Sequence, residues 1–395
     1  MKHIGSIRKE TPMRKHFGIF RKKISLWESV ALIVSGTVGA GVFGIPFAIA
    51  QVGVLPGVIV ITVLGFLMMG LNLLLGEVVV RTRQSFQLSG LAHKYLGTFG
   101  GFLMTVIFYT ILTGTLVVYM IGVGEALSSL LGNTPFFWSI IFFVVSSFCI
   151  FLGLRTIKTV EFFLLIIIFF IVFCISFFSI PHTSLLNFQF VNWSGILVPY
   201  GVVLFAFHGV TAIPEAYELL HNRKRDFKKA IIISAVITMV IYIMFAITVI
   251  GVTGVGTTEI ATTGLGNVIG PTMYLFGTLF AILAMATSYL LIGVSFKDSL
   301  CWDFRVEKHI SVFLVLIFPL SIFLLGMQQF IQAISVIGGI CVSLEMLLIL
   351  LIYLKAREKG DKNPGVSRVK HARVLLYVLL FILTIGALQT IRLSF

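Results

Sequence analysis

The sequence predicts an all-α membrane protein of about eleven transmembrane helices, arranged as a five-plus-five inverted repeat whose first and sixth helices are broken. Three observations carry this expectation: the composition, the alternation of Lys and Arg along the chain, and a Gly-to-Pro segment that recurs in two distant spans. Of 395 residues, 58% are hydrophobic and 11% charged, with a mean hydropathy of +1.08. A soluble domain carries about 25% charged residues, so this chain cannot cover a water-facing surface. Its four cysteines (Cys149, Cys174, Cys301, Cys341) show neither metal-ligand nor disulfide spacing and read as small apolar residues. No metal and no cofactor is expected.

Crossing a bilayer takes roughly 20 apolar residues. Eleven stretches qualify, near 27–50, 54–80, 100–131, 135–153, 159–179, 194–219, 229–252, 271–296, 310–326, 328–354 and 372–391. Lys and Arg accumulate on cytoplasmic loops. With the N terminus inside, 28 of the 29 basic residues fall inside and only Arg392 outside, while segment 180–193, assigned outside, has none. The formal charge of +14 is therefore topology, with attraction for anionic lipid as a by-product, and nucleic acid is not an expected partner. The expected organisation is a basic cytoplasmic tail (1–24), a single transmembrane unit (25–391) and a short outer end (392–395). Within the unit, repeats cover about 25–180 and 190–354, followed by an extra helix at 372–391. The apolar segment before Ala48-Ile49-Ala50 is too long and too Gly-interrupted for a cleaved signal peptide.

The first span contains Ser35-Gly36-Thr37-Val38-Gly39-Ala40-Gly41-Val42-Phe43-Gly44-Ile45-Pro46. Gly costs about 1 kcal/mol and Pro about 3 kcal/mol relative to Ala inside a helix. At membrane depth, unpaired backbone survives only inside protein or beside a water-filled cavity. Two half-helices meeting near Gly39–Gly41 would offer free N–H groups and a positive dipole end, a seat for a carboxylate. Small residues at this spacing also serve close helix packing. The sixth span favours the break: Gly209-Val210-Thr211-Ala212-Ile213-Pro214 matches Gly41 to Pro46 at four of six positions, 168 residues away. Interrupted helices at corresponding places in two halves point to a transporter's binding site.

Ionisable and polar residues inside the membrane are functional suspects, since a charge at its centre costs about 2.5–3.5 kcal/mol on insertion scales. His208 adjoins the sixth-span break; it either bonds substrate and carries a coupling proton, or stays neutral and bonds carbonyls freed at the break. Thr287 and Ser288, mid-way along the eighth span, either hold Na⁺ or a proton-linked network, or bond their own helix. Glu77 either carries a proton or pairs with Arg81 or Arg83 at the cytoplasmic end of span two. Glu345, in span ten, needs a partner that the sequence does not name. Glu125, Glu161 and Glu215 lie toward span ends, where snorkelling or capping suffices. Tyr119 either reaches substrate or packs between helices.

These residues bring a family into view. Gly36-Thr37, Gly39-Ala40-Gly41 and Pro46, Leu75-Gly76-Glu77, Phe205-Ala206-Phe207-His208-Gly209, and the run Ala286-Thr287-Ser288-Tyr289-Leu290-Leu291-Ile292-Gly293 ending at Asp298 are similar to the hydroxy/aromatic amino acid permeases. That family belongs to the amino acid–polyamine–organocation superfamily and is related to the amino acid/auxin permeases. The resemblance implies a leucine-transporter-type fold and an alternating-access symporter in a prokaryotic cytoplasmic membrane. It places the substrate carboxylate on Gly39, Ala40 and Gly41 beside Thr37, and the amine at carbonyls near Phe205–Phe207. Phe205, Phe207, His208 and Gly209 would border the side-chain pocket. The expected substrates are aromatic or other neutral amino acids, with H⁺ as coupling ion and Na⁺ as the alternative. An amino-acid-sensing transceptor would share this site. A membrane enzyme would need an acid–base or metal constellation, which the sequence does not show; a channel would lack gradient coupling.

Overall fold

The computed structural model describes residues 26–84, 86–152, 170–220, 223–303, 306–369 and 372–394. Among them all regular structure is helical. The first predicted span is two short helices, α1 (Leu26–Ser35) and α2 (Gly41–Ala50). Gly53, at φ 92°, ends the turn that sends the chain into α3 (Val54–Arg81). Next come α4 (Leu88–Leu131), α5 (Pro135–Leu152) and α6 (Phe170–His182). The sixth span is again split, into α7 (Tyr200–Ala206) and α8 (Ala212–Leu219). There follow α9 (Lys224–Thr253), α10 (Ala261–Ile269), α11 (Pro271–Asp303), α12 (Lys308–Leu324), α13 (Phe330–Lys359) and α14 (Ala372–Ser394).

Six of these, α3, α4, α9, α11, α13 and α14, contain stretches long and apolar enough to cross a membrane unaided. Among the described residues, the broken and shorter apolar helices fall on other stretches expected from hydropathy. Three features depart from that pattern. α4 begins twelve residues before the expected span, and its first turns are set off by a kink at Gly97, whose φ of 77° suits a residue without Cβ. α10 lies in a stretch read as a connection. Within α13, Ile337–Val342 is π-helical. The expected fifth span and Glu161 lie largely outside the described residues, as does the side chain of Asp298.

The broken pairs form the centre of the molecule. α2 packs on α7, α1 on α8, and both α1 and α2 on α9, while α7 lies against the π segment of α13. Val38, Ala40, Phe43, Phe207 and Val210 are all buried. Large apolar side chains instead stand exposed on the outer helices, among them Phe148, Phe276, Phe313 and Phe381. A soluble protein rarely shows so much apolar surface; here it is the face that lipid covers.

Candidate transport site

The two breaks meet at residues that tolerate no side chain. A Cβ added at Gly41 would lie 2.6 Å from Ala206 Cα, and one at Gly36 would lie 2.9 Å from Ala212 Cβ. A Cβ at Gly209 would collide with the Thr37 hydroxyl. Glycine is thus required on both sides of the contact for the backbones to approach. Between α1 and α2, the Val42 N–H bonds Gly39 O and the Phe43 N–H bonds Ala40 O, but among the described residues the N–H groups of Gly39, Ala40 and Gly41 reach no backbone carbonyl. They are the orphan donors that a helix start leaves.

The opposite break is partly satisfied. Phe205 O accepts the His208 N–H at 3.0 Å, and Ala206 O accepts from the Tyr242 hydroxyl at 2.7 Å. That hydroxyl also lies 3.3 Å from Thr37 O, so one phenol on α9 ties both breaks together. Thr37 turns its own hydroxyl back to Ile33 O at 2.7 Å. A Cβ on Gly39 would stand 2.7 Å from the Tyr119 hydroxyl, which brings buried Tyr119 of α4 to the first break.

Beside Gly39 lies a narrow cavity of about 10 Å³, lined by Val38, Gly39, Val42, Phe43, Phe280, Ala284 and Ser288. That size suits roughly a single water. Its aromatic walls are Phe43 and Phe280, edge to face at 5.5 Å. Phe205 and Phe207 do not line it: Phe205 packs on Gly338 of α13, and Phe207 meets the ring of Tyr242 at 4.9 Å. Ser288 faces the first break across this cavity, whereas Thr287 donates to carbonyls of its own helix, Leu283 O at 2.9 Å and Ala284 O at 3.1 Å. The spacing of Phe280, Ala284 and Ser288, four residues apart on one helix face, is the sequence signal that would have found Phe280.

His208 and Glu345 form the other polar feature at this depth. His208 Nε2 lies 2.7 Å from Glu345 Oε2, and the Glu345 side chain is fully buried. A π turn carries an extra residue and re-aims the side chains that follow; the one at Ile337–Val342 ends three residues before Glu345, and Ser343 between them bonds the Tyr200 hydroxyl at 2.8 Å. Glu345 is the site member that sequence analysis singled out without placing.

Glu77 lies apart, near the C-terminal end of α3. Its Oε1 accepts from Arg81 Nη2 at 2.7 Å and Nε at 2.9 Å, and its Oε2 accepts the Val369 N–H at 2.7 Å. Val369 ends a strap, residues 360–369, which is fastened further by Lys362 N–H to Arg81 O, Arg83 N–H to Asp361, and Lys224 to Asn363 O.

A tryptophan/tyrosine permease family model matches residues 22–390. The chain belongs to that family. The permease also resembles the crystal structure of MhsT in complex with L-phenylalanine, with a TM-score of 0.66 at 14% identity, covering 93% of this chain and 98% of that one. Against the inward-facing conformation of Mhp1 the TM-score is 0.63 at 14% identity, covering 93% of this chain and 89% of that one. At such identity these likenesses speak for the fold, which is the leucine-transporter type expected from the sequence. No curated protein matches the chain significantly. The permease is an integral membrane protein.

Proposed function

We propose that this permease is a secondary amino acid transporter, moving aromatic or other neutral amino acids into the cell by alternating access with H⁺ as the coupling ion. The observation that carries this reading is the facing pair of breaks: among the described residues the N–H groups of Gly39, Ala40 and Gly41 reach no backbone carbonyl, and Tyr119 and Ser288 are both brought to Gly39. Such donors at a helix start suit a carboxylate. Carbonyls retain a second lone pair for an ammonium, so Phe205 and Ala206 can accept the amine. The family's description and the phenylalanine held by MhsT support an aromatic substrate. The cavity beside Gly39 is far smaller than an amino acid, so loading requires Phe43 and Phe280 to part.

Sodium coupling is the second reading, favoured by the Ser288 hydroxyl facing Gly39. In both, the protein sits in a prokaryotic cytoplasmic membrane with its N terminus on the cytoplasmic side, an orientation that the Lys and Arg distribution supports.

Uptake by purified protein in liposomes separates the two. Labelled Trp, Tyr and Phe, with Ser, Thr, Leu and Gln as competitors, are offered under a proton gradient and then a sodium gradient. Concentrative aromatic uptake driven by protons is the expected outcome. Uptake driven only by sodium would transfer coupling to the Ser288 side, and no binding or flux of any amino acid would remove the transport reading.

A further inference from the structure

We propose that His208 and Glu345 together hold the proton that drives transport, with Glu345 as the group whose charge that proton neutralises; this rests on the transport reading above. The two residues, 137 positions apart in sequence, meet at 2.7 Å, with side chains 12% and 0% exposed. Glu345 is incompletely served: Oε2 faces His208, while Oε1 accepts no hydrogen bond among the described residues. A buried carboxylate kept permanently ionised needs donors on both oxygens. With one proton added, the pair is either imidazolium with carboxylate or imidazole with carboxylic acid, and its net charge is zero. Without it the net charge is −1, concentrated on a group that lacks a donor at Oε1.

In the cycle, a proton from the outer water bonds to the pair, crosses with it as the site changes access, and returns to water on the inner side. One positive charge therefore moves with each zwitterionic substrate. The link to substrate is the main chain: His208 donates its backbone N–H to Phe205 O, one of the carbonyls assigned to the amine. Loading the pair and loading the site thus act on one five-residue break.

The other titratable groups on the surrounding elements do not substitute for this pair. Tyr200 on α7 is bonded to Ser343, Tyr119 and Tyr242 on α4 and α9 serve the breaks, and Cys341 shares α13; phenols and thiols are ordinarily neutral at physiological pH. Glu77 and Arg81 face α13 two turns onward at Tyr353, and Glu259 binds its start at the Ile331 N–H, close to Glu125. On α14, Tyr377 is exposed.

The test is proton-to-substrate stoichiometry in liposomes with an internal pH dye and a clamped membrane potential, using labelled L-tyrosine, L-tryptophan and L-phenylalanine. Wild type is expected to move one proton per amino acid. Glu345→Gln, His208→Gln and the double variant should each move none and accumulate substrate at least tenfold less under an imposed pH gradient. Their effects should not add, because one proton is lost in every case. One proton per substrate in Glu345→Gln, or sodium-only coupling in wild type, overturns the pair while leaving the transport reading intact. Should these variants fail to fold, or should wild type bind no amino acid, an infrared pH step on substrate-free wild-type protein decides instead. A protonated-carboxyl band that shifts on Glu345→Asp supports the pair, and the absence of any such band overturns it.

Discussion

Two buried carboxylates, Glu345 at the central break and Glu77 near the C-terminal end of α3, show how one residue type serves two different tasks. Glu77 has both oxygens occupied, by a two-pronged Arg81 contact and the Val369 N–H. Charge-assisted bonds of this kind are strong, so Glu77 pins the 360–369 strap to α3. Glu345 has a single imidazole partner and, among the described residues, one oxygen without a hydrogen bond. The difference lies in partners rather than depth of burial, since both side chains are inaccessible.

The same contrast separates the two regions as wholes. The 360–369 strap is stitched by bonds that each use a backbone group. At the central break, the N–H groups of Gly39, Ala40 and Gly41 reach no backbone carbonyl among the described residues, and the glycine contacts leave no slack. The largest test is therefore Gly41→Val. Its side chain would press on Ala206 and hold the breaks apart, so substrate affinity should fall by about 100-fold, roughly 2.7 kcal/mol, as read by labelled-substrate binding to monodisperse protein. Unchanged affinity would sink the carboxylate seat.

Glu77→Gln comes next and acts on the opposite region. It replaces a buried charge pair with a neutral amide beside Arg81, and breaking such pairs costs about 3 kcal/mol or more. Thermal unfolding should register this loss, while proton stoichiometry stays at the wild-type value. A changed stoichiometry would move Glu77 from clamp to coupling group and erase the contrast.

A smaller effect is expected for Ser288→Ala. If protons drive transport, its KM should change by no more than about fivefold, since one neutral hydrogen bond contributes about 1 kcal/mol. A sodium dependence present in wild type and lost in the variant would decide for the second reading.

The smallest expected effect is at Asp361, whose carboxyl is held below the usual carboxylate range by its hydrogen bonds from Lys94 and the Arg83 N–H. A lowered value means that its contribution is present above the ordinary carboxylate range and is lost as pH falls below about 4. The group is at the surface, so Asp361→Asn should cost less than about 1 kcal/mol at neutral pH. That cost should shrink in high salt and vanish in acid, measured by unfolding midpoints across pH. A cost that persists in acid would locate the effect in packing of the strap rather than in charge.

Much of this molecule is determined by local sequence. Bilayer thickness and the absence of backbone partners in lipid force apolar runs of about 20 residues into helices, so the spans could be read off directly. The two interruptions followed from the glycines and prolines of Gly36–Pro46 and Gly209–Pro214, because helix propensity is a local property. The self-bonding of Thr37 and Thr287 is likewise a matter of residues three and four apart. What the linear chain did not contain was the partner of Glu345, the direction in which Phe205 and Phe207 point, and the role of Phe43 and Phe280 as cavity walls. These depend on which helix faces meet across the bundle and on a π turn in α13 that rotates everything after it. A carboxylate's character inside a membrane is set by the groups brought to its two oxygens, and that is decided only when distant segments pack.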